Sequence, residues 1–285
     1  SSSLLQPLML LCTSEDIEVA RQACGAAANI AESKRTHKLL INVGSAMRSM
    51  VFIMRSKHLA VHREASRTVS NLLSSSVCHR LFVDDGGLTS LFRLCKSVDP
   101  ETQFNCSVIF RKLSPLLANH ELIVGKGGLA SLLLLTNTQE INVTRHAVAA
   151  LRDISSNENY KVNLAEEGCL RRAIELARHE DLTVRILAVG TLRHLSVNTR
   201  IKRPMVTEGA LGPIFANVED ISQDIDLLRQ CAATLGNMAE IGENQVSFVR
   251  DGVMPRLIHL SNIEHPEVQA DISKTFASLS ANPEN

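Results

Sequence analysis

Arg111, Arg152 and Arg193 recur at intervals of 41 residues, and Arg21, Arg63, Arg145 and Arg229 form a second series seven residues ahead of the place the first one marks. On a helix seven residues is about two turns, so both series share a face. A guanidinium presents a planar fork of donors that matches a carboxylate or a phosphate at two points. If successive helices pack about 10 Å apart, neighbouring arginines meet residues roughly three apart along an extended chain. The chemistry this predicts is recognition of an extended acidic or phosphorylated segment. The same arginines also read as solvated helix surface, and Asp153 beside Arg152 and Glu64 beside Arg63 would neutralise part of their field.

Other reactive types do not assemble into a catalytic pattern. VGKGG (124 to 128) suggests a phosphate loop but lacks the GxxxxGK[ST] frame. His58 and His62 are spaced to share one ion, yet no third ligand lies near, and such pairs are usually surface residues. Cys106 and Cys231 read as small packing residues rather than nucleophiles. No enzyme, catalytic residue, metal site or cofactor is expected.

Composition bounds the remaining classes. The chain has 285 residues, 45% of them hydrophobic, but only 3% aromatic, so its core must be largely aliphatic. Basic and acidic residues both number 30, which gives no pull toward nucleic acid or an anionic membrane. Seven scattered cysteines, none in a CxxC pair, indicate neither a disulfide framework nor a zinc site, and read as a reducing intracellular, cytoplasmic setting. No apolar run reaches the roughly 18 residues that span a bilayer, so any membrane or cytoskeletal attachment is assigned to parts outside this chain. The first residue is Ser, not Met, and the sequence reads as a fragment of a longer one.

The elements that would position the arginines follow from a repeat. Gly44, Gly86, Gly127, Gly168, Gly209 and Gly252 are 42, 41, 41, 41 and 43 residues apart, a period typical of stacked helical units. Four residues before each glycine stands Leu40, Phe82, Ile123, Leu164, Met205 or Phe248; fourteen before, Ile30, Leu72, Leu113, Ile154, Leu195 or Met238. Twenty-one before comes a small residue: Ala23, Ala65, Cys106, Ala147, Ala188 or Cys231. A larger side chain there would overpack a close helix approach. Each unit reads as a short helix, a glycine with φ > 0, a second helix such as LASLLLL (129 to 135), a polar link and a longer third helix.

With its recurrent glycine and short first helix, the chain resembles the armadillo repeat family, on segments such as SNLLSSSVCHRLFVDDGGLTSLFRLC (70 to 95) and GNMAEIGENQVSFVRDGVMPRLIHL (236 to 260). HEAT repeats are the runner-up, favoured locally by DLTVRILAV (181 to 189). The resemblance implies an all-α, right-handed superhelical solenoid over residues 1–285, about six full repeats with partial ones at both ends. LLQPLMLL (4 to 11) would be a second helix without its first, and NPEN (282 to 285) the opening of another repeat.

In that family the third helices line a groove where an Asn column holds the backbone of an extended peptide. Here the column reads Asn29, Asn71, Lys112, Asp153, His194, Asn237 and Ser278. Where the importin-α branch places Trp, this chain has Gly25, Arg67, Val108, Ala149, Gly190 and Ala233, so cation–π capture of lysine is not expected. The resemblance is nearer to vacuolar-type and armadillo-repeats-only adaptors. The expected function is a protein-interaction scaffold whose groove comprises Asn29, Asn71, Asn237, Arg111, Arg152, Arg193, Lys112, His194, Arg63, Arg67 and Arg229. The expected partner is an extended or disordered protein segment, with self-association through uncapped ends as a further mode. The alternative is a regulatory domain sensing a small anionic metabolite or nucleotide.

Overall fold

Glycine sets the punctuation of the chain. Gly86, Gly127, Gly168, Gly209 and Gly252 all have φ between 78° and 90°, a left-handed conformation that costs other residues 1–2 kcal/mol or so. The computed structural model describes residues 2–43, 46–220 and 224–283, so Gly44 and the last two residues of NPEN lie outside the described part. Among the described residues there are twenty α-helices, one short 3-10 turn and no strand: the fold is an all-α helical solenoid.

The chain forms two compact units, residues 1–150 and 151–285. The first holds α1 (Ser2–Leu11), α2 (Ile17–Ala31), α3 (Lys34–Asn42), α4 (Ala46–Ile53), α5 (Leu59–Leu72), α6 (Ser76–Asp84), α7 (Gly87–Leu94), α8 (Pro100–Leu113), α9 (Leu117–Gly125) and α10 (Gly128–Thr136). The boundary falls within α11 (Ile141–Ser155). The second holds α12 (Lys161–Glu166), α13 (Cys169–Leu176), α14 (Leu182–Ser196), α15 (Thr199–Thr207), α16 (Leu211–Val218), α17 (Ile225–Met238), α18 (Gly242–Arg250), α19 (Val253–Ser261) and α20 (Pro266–Ser280). From α3 onward they run in threes: a first helix, a second helix and a third of 14 or 15 residues, and from α6 onward the left-handed glycine stands between the first two.

Burial follows the repeat. The residue four before each glycine is fully buried from Leu40 to Phe248, and so is every member of the small column. Fourteen before, Leu72, Leu113, Ile154, Leu195 and Met238 are buried, while Ile30 is only half-buried. The core is aliphatic except where Phe82, Phe110 and Phe248 fill it. Asp16, Asp99, Asp181 and Asp224 cap third helices, each accepting backbone N–H groups of the first turn at 2.9–3.0 Å. Such a cap contributes about 1 kcal/mol.

A second polar column closes the other end of the third helices. The final carbonyls of a helix have no partner within it. Seven residues before the glycine, His37, His79 and His120 donate Nε2–H to the carbonyls of Ala31, Leu73 and Ser114, and Gln245 donates to that of Ala239, at 2.6–2.8 Å. At the two intervening places stand the buried Lys161 and Lys202, which pair with Glu158 and Glu240. Three of the ten histidines are therefore helix caps. His62, read from sequence as a surface residue, is also buried, with Nδ1 donating to the Ser56 carbonyl at 3.1 Å.

Candidate functional site

The expected groove residues lie on the third helices, which stack α2 on α5 and α5 on α8 in the first unit, and α14 on α17 and α17 on α20 in the second. In the first unit the arginines are held by neighbours. Arg63 grips both oxygens of Asp99, the cap of α8, with Nε at 3.1 Å from Oδ2, and reaches Glu101 at 3.3 Å. The Asp99 hydrogen bond, foremost, raises the Arg63 pKa. Burial pushes the Asp99 carboxyl up, but bonds from Thr102 and Arg63 outweigh it and leave it lowered. Arg67 donates to Glu64 and to Asn29 Oδ1, both at 2.9 Å, and to Glu32 and the Gly25 carbonyl at 3.4 Å.

The Asn column is stitched in the same manner. Asn71 Nδ2 donates to the Ala28 carbonyl on the preceding third helix at 3.1 Å. Lys112 does the equivalent toward α5, donating to the Ser70 carbonyl and to Ser74 Oγ at 2.8 Å. Burial, then the charge of Lys34, holds its pKa below the ordinary lysine value. Arg111 is exposed on α8, and His146 on α11 bonds Ser107 at 3.2 Å. Burial lowers the His146 pKa, with Arg111 and Lys112 adding to the effect.

Between α5 and α8 a cleft of about 410 Å³ opens, lined by Arg67, Asn71, Glu32, Glu101, Phe104 and Val108. Phe104 also borders a smaller cleft with Glu140, Asn142 and Val143, and stands 5.6 Å from the His146 ring. It is 41% exposed, an aromatic on the face where the sequence analysis had none. Its register was the available signal: Phe104 takes the position of Arg63 and Arg145 in its own repeat.

In the second unit Arg152 lies over Gly190, its Nε 3.1 Å from where a β-carbon would sit, so the missing side chain makes room for the guanidinium. Arg193 donates to Gln230 at 3.2 Å. His194 Nδ1 lies 3.0 Å from Ser155 Oγ and 3.1 Å from the Arg152 carbonyl. Its pKa is lowered, first by burial, against the Arg152 carbonyl and with the charges of Arg152, Arg193 and Lys161. Asn237 donates to Ser196 Oγ at 3.0 Å. Arg229 pairs with Glu267 on α20 and with Asp226 at 3.2 Å.

Part of the predicted arginine set is therefore frame as well as surface. The sequence analysis identified Glu64 and Asp153 as neutralising groups but missed Asp99, Glu101 and Glu267, which come from the next repeat. Among the described residues no three His, Cys, Asp or Glu come together as metal ligands, and no helix is long and apolar enough to cross a membrane.

No protein-family model and no curated protein sequence matches the chain. Solved structures do. One is the crystal structure of an engineered protein, 24% identical, with a TM-score of 0.83 over 98% of this chain and 69% of that one. Another is a designed armadillo repeat protein in complex with the peptide (KR)4, 18% identical, with a TM-score of 0.50 over 96% of this chain and 99% of that one. At these identities the likeness concerns the fold, which is an armadillo-like repeat solenoid.

Proposed function

We propose that the chain is a non-catalytic interaction scaffold, and that its first unit binds an extended acidic or phosphorylated segment across α5 and α8. One observation carries this reading: Lys112 is half-buried, and among the described residues its ammonium bonds neutral oxygens, the Ser70 carbonyl and Ser74 Oγ. Taking a cation out of water without a carboxylate is unfavourable, and an anionic ligand would relieve it. The adjacent cleft offers Phe104 and Val108 to an apolar side chain of the same segment. The designed neighbour supports the scaffold reading, because a fold of this kind there carries a peptide, although a basic one. The positions where import adaptors carry Trp favour the other adaptor branches. A cleft of this volume would also admit a small metabolite, but Glu32 and Glu101 on its wall disfavour an anion held there alone.

The test is fluorescence anisotropy with labelled (DE)4 and (KR)4 peptides, the acidic one also in a phosphoserine form. The acidic peptides bind, and Lys112→Gln, which retains an N–H for the Ser70 carbonyl, weakens them about tenfold, roughly 1.4 kcal/mol. Preference for (KR)4 would overturn the polarity, and indifference to Lys112→Gln the assigned site.

A further inference from the structure

VGKGG (124 to 128) lacks the frame of a nucleotide phosphate loop, yet it borders a cleft of about 330 Å³ in the first unit. The cleft lies between the second helices α7 and α10 and is lined by Arg93, Lys96, Lys126, Ser131, Phe92 and Leu134, with the first turn of α10 entering at Gly127 and Ala130. It shares no lining residue with the cleft between α5 and α8. Three of its side chains are cations, and among the described residues no carboxylate lines it. Arg93 donates to the Met54 carbonyl, which fixes its charge at the wall.

One repeat earlier the same place is filled from within. Arg55 Nε donates to Ser90 Oγ at 3.1 Å, Ser90 Oγ donates to the Val51 carbonyl at 3.2 Å, and the Arg55 guanidinium lies 3.4 Å from where a β-carbon on Gly86 would sit. Lys96, Ser131 and Gly127 are the counterparts of Arg55, Ser90 and Gly86. Here the filling is gone. A β-carbon on Gly127 would meet nothing within 4 Å, and among the described residues Ser131, Lys96 and Lys126 make no side-chain hydrogen bond or ion pair. Ser131 is nevertheless only 4% exposed. Buried hydroxyls are ordinarily hydrogen-bonded, so one that opens on a basic cleft without a partner marks a place for a ligand oxygen.

We infer that this cleft binds a small phosphate monoester, whose phosphate is held by Lys96, Lys126 and the Ser131 hydroxyl and whose organic body rests on Phe92 and Leu134. The ammonium groups match the charge a monoester carries near neutral pH. Gly127 caps α10 without a side-chain oxygen, so N–H groups of the first turn are left for the anion. Leu134 is 47% exposed and Phe92 half-buried, which sets an apolar wall beside the cations. The volume suits a small molecule.

The test is isothermal titration calorimetry of the chain near neutral pH with phenyl phosphate, inorganic phosphate and phenol. Phenyl phosphate binds saturably, about tenfold more tightly than inorganic phosphate because its ring is buried as well. Ser131→Ala and Lys126→Gln each weaken phenyl phosphate about tenfold, and Leu134→Ala brings it toward the affinity of inorganic phosphate. Ser131 and Lys126 have no side-chain partner to lose, so both variants keep the native melting temperature, and lost binding reports on the site rather than on the fold. A chain that shows no saturable binding of phenyl phosphate overturns the proposal. So does binding undiminished in Ser131→Ala and Lys126→Gln, or phenol bound as tightly as its phosphate ester.

Discussion

Arg63 and Asp99 are 36 residues apart in the chain and meet as a two-point ion pair. Asp99 also caps α8, and two substitutions separate the roles. Asp99→Asn keeps a capping oxygen and removes the charge, so it lowers stability by about 1 kcal/mol in urea unfolding. Asp99→Ala loses the cap as well and costs about 2 kcal/mol. An equal loss in both variants would leave the cap without a role. The histidines give a pH prediction. His194 has a folded pKa below its unfolded value near 6.5, so the unfolded chain binds the proton more readily. Its contribution is present above pH 6.5 and is lost as pH falls through that value toward the folded pKa. Comparing melting temperatures across that window, His194→Gln should flatten the acid-side decline of the native chain. At this scale the sequence was least informative. Arg63 reads as a ligand cation until its partner is known, and that partner belongs to the next repeat, where side-chain geometry decides who meets whom.

Helices and their order were far more legible, because burial recurs with the glycine frame and the turns need a left-handed residue. Two glycines isolate the causes. At Gly168, φ is 90° and a β-carbon would touch nothing within 4 Å, so Gly168→Ala tests backbone strain alone, at about 1–2 kcal/mol. At Gly128, whose φ is not positive, a β-carbon would lie 2.6 Å from the Ile123 carbonyl and 2.9 Å from Phe92. Gly128→Ala must therefore shift backbone, and its loss in the same denaturation assay exceeds that of Gly168→Ala. One element was not legible: the first helix of the fourth repeat is divided into a 3-10 turn, Glu158–Tyr160, and α12. Asn157 accepts the Asn159 N–H there at 3.2 Å, a local bond that competes with regular helix and leaves no mark in hydrophobic spacing.

In the first unit α5 touches α2 and α8, and in the second α17 touches α14 and α20, so stability within a unit is a sum of neighbour terms. Ile272 is buried in α20, which packs on α17. Ile272→Ala should cost about 2–4 kcal/mol, and hydrogen exchange should quicken in α20 first, then α17, with α14 little changed. Uniform acceleration across the three helices would mean that the unit opens as one body. The net charge of zero carries its own expectation: ligand capture owes little to long-range steering, so added salt weakens the peptide mainly by screening contacts at close range. Solenoid class was legible from the period alone, whereas the clefts beside Phe104 were not, since a cavity depends on what neighbouring repeats omit.

The column seven places before each glycine bears on how such a molecule changes over generations. A carbonyl oxygen accepts from whatever donor reaches it, and here an imidazole serves at three joints and an amide at a fourth. At these four joints one donor can stand in for another without leaving the carbonyl unpartnered. The architecture can thus be handed down intact while nearly every letter that spells it is rewritten.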